Sequence, residues 1–308
     1  MGHLPDLIVV LGPTGSGKSS LALDIAVHFS GEIVNCDSVQ LYRGLDIGAA
    51  KTPTQERRGI PHHLIDILHP ADHYTAGDYA RAGRSVVAEI AGRRRIPVVA
   101  GGTGFYLRAL LEGLSESPER DPELRARLTG RPGEVLHRYL RRLDPAAAAR
   151  IHPNDKNKQI RAIEICLLSR RPLTDLFAEN PIRKLEGFRV WKVGLDPDTD
   201  RLAERLNLRC VRMFEAGIVN EVRGILQSGV SRDAKSLSSI GYREALGFLE
   251  GRLSIEEAVE LTQVATRQYA KRQRTWFRKE PDVLWLRSFG DDQELVNLAI
   301  HHLEVGIK

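Results

Sequence analysis

The sequence predicts an α/β fold: a parallel sheet flanked by helices, interrupted by an inserted all-helical subdomain. Three observations carry this prediction. Short runs rich in β-branched residues alternate with segments of helical periodicity, a pattern typical of a doubly wound parallel sheet. A glycine-rich loop follows the first such run. The alternation stops near Leu114 and a strand-like run, RVWKVGLD, returns only after residue 186.

The predicted elements follow one another in the order that such a sheet requires. LIVVLG predicts the first buried strand, and Leu21, Ile25 and Phe29 recur at helical spacing after the glycine-rich loop. In TAGDYARAGRSVVAEIAGRRR, Thr75 and Asp78 stand in capping-box positions, which predicts the start of a helix. The other predicted strands are GEIVNCD, HHLIDIL, IPVVAGG, RVWKVGLD and DVLWLRS, and TGFYLRALLEG predicts another helix.

Residues 115–186 are predicted to form the inserted subdomain. The segment is helix-like, rich in Arg and Ala and punctuated by Pro, as in LDPAAAARIHPNDKNKQIRAIEICLLSRRP. We therefore expect a catalytic core made of residues 1–114 and 187–308, with basic helices in its C-terminal part.

Positive charge is concentrated in two segments. The 308-residue chain has a formal net charge of +5, yet residues 120–171 contain thirteen Lys or Arg against six Asp or Glu. Residues 266–279, TRQYAKRQRTWFRK, contain six Lys or Arg and no acidic residue. Such concentration indicates a polyanionic partner. A solvated helical face is an equally good interpretation of either segment alone.

Composition and cysteine use limit the class of protein. Hydrophobic residues make up 42% of the chain and charged residues 28%, which is typical of a globular protein and excludes wholesale disorder. No signal-peptide pattern and no apolar run of about 18 residues is present, so we expect no membrane association. Cys36, Cys166 and Cys210 lie far apart without metal-ligand spacing, which predicts a reducing, cytoplasmic location and no zinc site.

The loop after the first strand matches the full phosphate-binding pattern GxxxxGK[ST]. Its backbone N–H groups and the following helix N-terminus are predicted to wrap a pyrophosphate-like anion. Lys18 would neutralise the outer oxygens and Ser19 would ligate Mg²⁺. ATP or ADP could also fit, and the pattern leaves this open. The predicted phosphate-binding residues are Gly12, Pro13, Thr14, Gly15, Ser16, Gly17, Lys18 and Ser19.

A carboxylate is expected near this loop, but not where a P-loop NTPase carries it. IPVVAGG ends in glycines and Thr103, without the acidic residue that holds Mg²⁺ in such enzymes. Asp37 instead ends the strand GEIVNCD and is expected to face the crevice at the carboxyl ends of the strands. We interpret it as part of a magnesium shell or as a base toward an acceptor nucleophile. A turn cap is the remaining interpretation.

Seven segments resemble the tRNA dimethylallyltransferases, also called tRNA isopentenyltransferases. In order they are GPTGSGKS, residues 33–52, PHHLID, GGTGFYLRALL, HPNDKNKQIRAIEI, IGYRE and TRQYAKRQRTWFR. The resemblance covers nearly the whole chain and implies a fold similar to P-loop kinases. It implies transfer of a dimethylallyl group to N6 of the adenosine immediately 3′ of the anticodon, in tRNAs that read codons beginning with U. The zinc finger of eukaryotic relatives is absent, so the chain resembles the bacterial type.

The resemblance also assigns roles to residues. It implies that residues 12–19 hold the diphosphate of dimethylallyl diphosphate with Mg²⁺, and that Asp37 takes the proton from N6. Thr103 would lie where the amine and the allylic carbon meet, and Arg223 matches an arginine that helps to hold the diphosphate. The implied tRNA contacts are Asp37, Ser38, Val39, Gln40, Thr103, Arg125, Gln159, Ile160, Arg161, Ala162, Ile163, Ile240, Gly241, Tyr242 and Arg243.

A basic stripe is predicted on a late helix. Its members fall at i, i+4, i+7 and i+11 and are interpreted as contacts with tRNA phosphates. They are Arg267, Lys271, Arg274 and Arg278. Tyr269 and Trp276 lie on a neighbouring stripe, where packing against the core is favoured over base stacking.

Two other functions stay open from the residues alone. A small-molecule phosphotransferase with Asp37 as base explains the phosphate loop, but not the two basic segments. An RNA-binding protein switched by a nucleotide explains the charge, but leaves Asp37 and Thr103 without a purpose. If the chain is a tRNA dimethylallyltransferase, as the resemblance implies, we expect a monomer that contacts the anticodon stem-loop of tRNA.

Overall fold

The computed structural model describes residues 4–180 and 182–307, and the chain divides into two compact units. The larger unit comprises the chain up to Leu111 and from Leu185 onward. The smaller unit spans Glu112–Lys184, so each junction lies two or three residues earlier than the predicted segment 115–186. Each unit has its own apolar core.

The larger unit is built on a parallel sheet, as the sequence predicts. Its strands are β1 (Asp6–Leu11), β2 (Glu32–Asn35), β3 (His62–His63), β4 (Pro97–Ala100), β5 (Arg189–Leu195) and β6 (Val283–Leu286). They lie in the order β3-β2-β4-β1-β5-β6, and every neighbouring pair is parallel. The predicted α/β class is confirmed, although HHLIDIL contributes only the two-residue β3.

Helices make up most of the remaining structure. In chain order they are α1 (Lys18–His28), α2 (Ala76–Gly92), α3 (Gly104–Leu111), α4 (Pro122–Thr129), α5 (Gly133–Leu143), α6 (Pro145–Arg150), α7 (Lys156–Ser169), α8 (Leu173–Glu179), α9 (Thr199–Glu215), α10 (Ile218–Gln227), α11 (Tyr242–Leu249), α12 (Ile255–Phe277) and α13 (Gln293–Ile307). Helices α4 to α8 form the smaller unit. Within the described ranges, no helix combines the length and apolar character that a bilayer crossing requires.

The start of α2 shows how local sequence fixes an element of the larger unit. The Thr75 side chain accepts a hydrogen bond from Asp78 N at 3.2 Å, and Thr75 N donates to the Asp78 carboxylate at 2.9 Å. This reciprocal arrangement is the predicted capping box. Tyr79, fully buried in the same turn, donates to Asn35 O at 2.9 Å. The cap therefore fixes α2 against the end of β2.

The sheet brings three loops to one edge. Strand β1 lies between β4 and β5, and its residues Leu7 to Leu11 are at most 1% exposed. Because the strands are parallel, the chain leaves β1, β2 and β4 at the same edge of the sheet. Gly12, Asp37 and Thr103 follow these three strands. The fold thus gathers the residues to which the sequence assigns chemistry.

The smaller unit is held together by an apolar core and one buried carboxylate. Leu136, Leu140 and Ile163 are at most 1% exposed within this core. Glu164 is fully buried and accepts hydrogen bonds from the Arg125 guanidinium at 2.9 Å and the Arg161 guanidinium at 2.7 Å. Asp121 N donates to its other oxygen at 2.8 Å. Burial opposes the ionisation of Glu164, but the bonds from Arg161, Asp121 N and Arg125 outweigh it and lower its pKa.

Replacing Glu164 by Gln is expected to lower the free energy of unfolding, because both arginines lose their carboxylate. We expect a loss of about 2 kcal/mol, less than for a fully enclosed pair since both arginines keep access to water. The lowered pKa makes this stabilisation complete above the ordinary value of 4.5 and lost as the pH falls through the lowered pKa. Urea unfolding at several pH values measures it.

The matched control is Glu123→Gln, which removes an exposed carboxylate that lies 3.6 Å from Arg127 on α4. It should change the free energy of unfolding by less than about 0.5 kcal/mol. A Glu164→Gln protein as stable as the control, or a loss that stays constant on acidification, contradicts the assignment.

Candidate active site

The loop of residues 12–17 joins the central strand β1 to α1. Gly12, Gly15 and Gly17 have φ angles of +146°, +76° and +86°, which residues with a side chain rarely adopt. Gly17 is the N-cap of α1 and supplies no side-chain hydrogen bond to the first turn. The N–H groups of that turn are therefore left for an external acceptor, as at the helix N-termini that bind anions.

Two cationic side chains contact this loop without a carboxylate partner. Lys18 Nζ donates to Pro13 O at 2.7 Å, and Arg209 on α9 donates to Thr14 Oγ1 at 3.3 Å. Within the described ranges, neither forms a salt bridge. Burial lowers the pKa of Lys18 to about 8 and also lowers the pKa of Arg209. A pair of desolvated cations without counter-charge favours the binding of an anion.

Asp37 lies in the turn that follows β2. Its Oδ1 accepts hydrogen bonds from Val39 N at 2.8 Å and from Gln40 N at 3.4 Å, so it caps this turn. For Oδ2, the part of the chain that the structure describes provides no hydrogen bond. Burial lowers the pKa of Lys18 and of Arg209, and the charge of Asp37 acts against this effect at both. Asp37 therefore caps the turn with Oδ1, while its Oδ2 has no hydrogen bond to a described residue.

Thr103 lies directly beside the turn that contains Asp37. Its Oγ1 accepts a hydrogen bond from Ser38 N at 3.0 Å, and its backbone N donates to Cys36 O at 3.1 Å. The approach is close, because a Cβ at Gly101 would lie 2.1 Å from the Cys36 carbonyl oxygen. The glycines that replace an acidic residue at the end of β4 thus allow the two loops to touch.

The segment predicted to line a base pocket is half-buried in the same place. Ser38, Val39 and Gln40 follow Asp37, and the Gln40 side chain donates to Ala49 O at 3.1 Å. The positions agree with a wall beside Asp37. Their contact with a base stays a prediction.

Arg209 contacts the glycine loop, whereas the resemblance assigned the diphosphate contact to Arg223. Arg223 is exposed on α10 and donates to the side chain of Asn220. Arg209 contacts the loop instead, because α9 packs its apolar face inward through Leu202 and Leu206, and Arg209 borders that face. An arginine at the edge of a buried helical stripe was the signal in the sequence, and it was missed. Arg209 is therefore a second candidate for contact with an anion at this loop, and the assignment of Arg223 stays a prediction.

Most of the predicted tRNA-binding segment on α7 faces the core of the smaller unit. Gln159, Ile160, Ala162 and Ile163 are between 0% and 3% exposed. Their side chains pack the helix and are not available to RNA, which corrects the prediction for these four residues. Arg161, on the remaining face, is half-buried and bound to Glu164, as is Arg125.

The segment at the start of α11 is also mainly structural. Gly241 and Tyr242 are buried, and Tyr242 donates to a Glu221 oxygen at 2.6 Å. Ile240 is half-buried, whereas Arg243 is exposed and contacts Glu244 at 2.5 Å. The direct tRNA contact predicted for Gly241 and Tyr242 is therefore corrected, and the charge of the exposed Arg243 is partly neutralised by Glu244.

The predicted basic stripe is present on α12, but part of its charge is neutralised. Asp196, which follows β5, accepts from Arg274 at 2.6 Å and from Arg278 at 3.0 Å. Arg267 donates to the side chain of Asn207 on α9. Lys271 is exposed. The contribution of the stripe to an external field is thus smaller than the sequence indicates.

A magnesium ion is compatible with this site only together with a phosphate ligand. The described residues contain no group of three or more His, Cys, Asp or Glu side chains that could hold a metal ion. Mg²⁺ keeps several waters and commonly binds one or two protein groups together with the phosphates of a ligand. The Ser19 hydroxyl, exposed at the first turn of α1, fits that mode.

Comparison with known proteins adds to this geometry. A family model described as IPP transferase matches residues 40–280. A tRNA dimethylallyltransferase of Solibacter usitatus is 54% identical over 297 residues, covering 96% of each chain. One from Koribacter versatilis is 52% identical, covering 96% of this chain and 97% of its own.

Solved structures agree. The crystal structure of a tRNA isopentenylpyrophosphate transferase from Bacillus halodurans superposes with a TM-score of 0.73 at 34% identity, covering 98% of this chain and 96% of that one. A eukaryotic dimethylallyltransferase acting on tRNA gives a TM-score of 0.81 at 27% identity, covering 98% of this chain and 78% of the other. The chain belongs to the IPP transferase family, with tRNA dimethylallyltransferases as relatives along almost its whole length.

Proposed function

We propose that this protein transfers the dimethylallyl group of dimethylallyl diphosphate to N6 of the adenosine immediately 3′ of the anticodon, in tRNAs that read codons beginning with U. The products are N6-isopentenyladenosine and diphosphate. One observation carries the proposal: two half-buried cations, without a salt bridge to any described residue, contact a glycine loop, and the charge of Asp37 acts on both. Family membership and the names of the relatives support tRNA as the acceptor.

The loop is suited to stabilising a leaving diphosphate. Breaking the allylic C–O bond moves an electron pair onto the diphosphate oxygen. Lys18, Arg209 and the free N–H groups at the start of α1 are donors at this place, and they stabilise the charge that develops. Mg²⁺ held by Ser19 would add Lewis-acid stabilisation of the same oxygens.

Asp37 is suited to accept the proton that the amine loses. The exocyclic amine of adenine is a poor nucleophile, because its lone pair is delocalised into the ring. As N6 forms its bond to the allylic carbon, a carboxylate oxygen that takes its proton lowers the barrier. Oδ1 holds the turn, which keeps Oδ2 in a fixed direction for this role. Thr103 accepts from Ser38 N and so stabilises the same turn.

A target base within an anticodon loop must leave its stack to reach such a pocket, which costs less in an RNA loop than in a duplex. Exposed cations on the larger unit, among them Lys271 and Arg243, are proposed to bind the RNA phosphates. A cytoplasmic location and a monomeric state stay predictions from the sequence.

The donor test is incubation of the protein and tRNA with labelled dimethylallyl diphosphate or with labelled ATP. Label should enter tRNA only from the prenyl donor. Phosphate released from ATP alone would favour a nucleotide-switched RNA-binding protein, and labelled phosphate on a small molecule would favour a phosphotransferase.

Asp37→Asn is expected to reduce prenyl transfer by roughly 10²–10⁴-fold, the usual contribution of a general base. Asparagine keeps an oxygen that can accept from Val39 N, so the turn and tRNA binding should persist. Single-turnover kinetics and a filter-binding assay measure the two quantities. Asp72→Asn is the control, because the Asp72 carboxylate also caps a turn, at His69 N. A fully active Asp37→Asn enzyme would remove Asp37 as the base.

Arg209→Ala is expected to weaken binding of inorganic diphosphate by about 10–100-fold, since a charge-assisted hydrogen bond is worth about 1.5–3 kcal/mol. Arg223→Ala should change it by less than about twofold, because that arginine is exposed on α10. Titration calorimetry in the presence of Mg²⁺ compares the two. Equal effects of the two variants, or a larger effect of Arg223→Ala, would contradict a specific role for Arg209 and favour Arg223.

Lys271→Ala should lower the slope of log affinity for tRNA against log salt by about 1, because it removes one phosphate contact. Arg95→Ala is the control: Arg95 precedes β4, at the opposite edge of the sheet from the site. An unchanged slope for Lys271→Ala would show that this lysine does not contact RNA.

A further inference from the structure

The phosphate-binding loop depends on contacts from distant parts of the chain for its shape. Three of its glycines have positive φ angles, so the loop has many accessible conformations and little stiffness of its own. Gly290 N donates to Ser16 O at 2.8 Å, which fixes one side of the loop. The peptide between Pro13 and Thr14 is fixed on the other side by a side chain of α12.

That side chain is Gln273, whose amide bridges two loops. Its Oε1 accepts from Thr14 N at 2.7 Å, and its Nε2 donates to Gly102 O at 2.7 Å. Gln273 is 5% exposed, so water competes little for these bonds. The planar amide thereby joins Thr14 and Gly102, which lie 259 and 171 positions before Gln273 in the chain.

We propose that Gln273 is a positioning residue of the diphosphate site, which orients the Thr14 peptide and ties the loop after β1 to the loop that carries Thr103. The inference deepens the proposed function and rests on it for the identity of the anion. Arg209 donates to the hydroxyl of Thr14. Gln273 and Arg209 both contact Thr14, so we expect Gln273 to affect diphosphate binding through Thr14.

The contacts require a side chain that donates at one end and accepts at the other. Glutamate cannot donate to Gly102 O, and an apolar side chain makes neither bond. Gly102 must also lack a side chain, because a Cβ there would lie 2.3 Å from Gln273 Nε2. Gly102 directly precedes Thr103 in the chain. The amide thus connects the anion loop to the side chains around the reacting amine.

A positioning role predicts a specific kinetic effect. If the Thr14 peptide loses its acceptor, the loop samples other conformations, and binding of the diphosphate bears the cost of ordering it. The KM for dimethylallyl diphosphate should then rise more than the KM for tRNA. A residue that only stabilises the fold would lower the thermal midpoint and leave the ratio of the two KM values unchanged.

The test compares Gln273→Met with Gln263→Met in the full-length protein. Gln263 lies on the same helix and makes one bond, from Nε2 to Asn207 O at 3.2 Å, so it serves as a matched control. Binding of inorganic diphosphate is measured by calorimetry with Mg²⁺, and thermal midpoints are recorded. We expect at least a tenfold weaker affinity for Gln273→Met and less than a twofold change for Gln263→Met, as one lost hydrogen bond at a buried site allows.

Diphosphate affinity of Gln273→Met equal to that of the unmodified protein would overturn the proposal. Equal losses of diphosphate affinity in Gln273→Met and Gln263→Met would also overturn it. If Gln273→Met fails to fold, Gln273→Asn is measured, because its amide is one methylene shorter and cannot make both bonds, while it adds no charge. Unchanged diphosphate affinity there would likewise overturn the proposal, whereas weakened affinity supports it. Diphosphate binding is measured without the prenyl-transfer reaction, so the two proposals can fail separately. If Gln273→Met weakens diphosphate binding but the unmodified protein does not prenylate tRNA, only the proposed reaction is refuted.

Discussion

The candidate site depends on two half-buried cations that have no carboxylate partner within the part of the chain that the structure describes. Lys18 and Arg209 contact the glycine loop after β1, and burial lowers the pKa of both. A desolvated cation is unfavourable unless something compensates it. An anion at the N-terminus of α1 would provide that compensation, which is the physical basis of the proposed diphosphate site.

The rest of the larger unit positions this unsatisfied pair. The parallel sheet places the loops after β1, β2 and β4 at one edge, and Gly101 lets the last two touch. Asp37 is therefore close enough to act electrostatically on both cations, yet it pairs with neither, because its Oδ1 holds a turn. A carboxylate that neutralised Lys18 would have removed the anion site. Under the proposed function, separation of the acid from the cations is what would let one crevice hold a leaving anion and a proton acceptor.

The sequence predicts those features that short segments determine. The strands, the capping box at Thr75 and the glycine loop each arise from neighbouring residues, and the structure confirms them. Arg209 and Gln273 were missed because their roles arise from contacts with residues 195 and 259 positions away. The four residues around Arg161 were misassigned because a motif shows that a segment matters, not which helical face is buried. Neutralisation of Arg274 by Asp196 likewise depends on where β5 ends.

The fate of the two halves of the donor tests the central claim most directly. Dimethylallyl diphosphate labelled with ¹⁴C in the prenyl group and ³²P in the diphosphate is incubated with the protein and tRNA for a single turnover. The account predicts that ¹⁴C enters the RNA while all ³²P is released as intact inorganic diphosphate in equal amount. Transfer of ³²P to the RNA, or its release as monophosphate, would contradict a loop that holds a departing diphosphate.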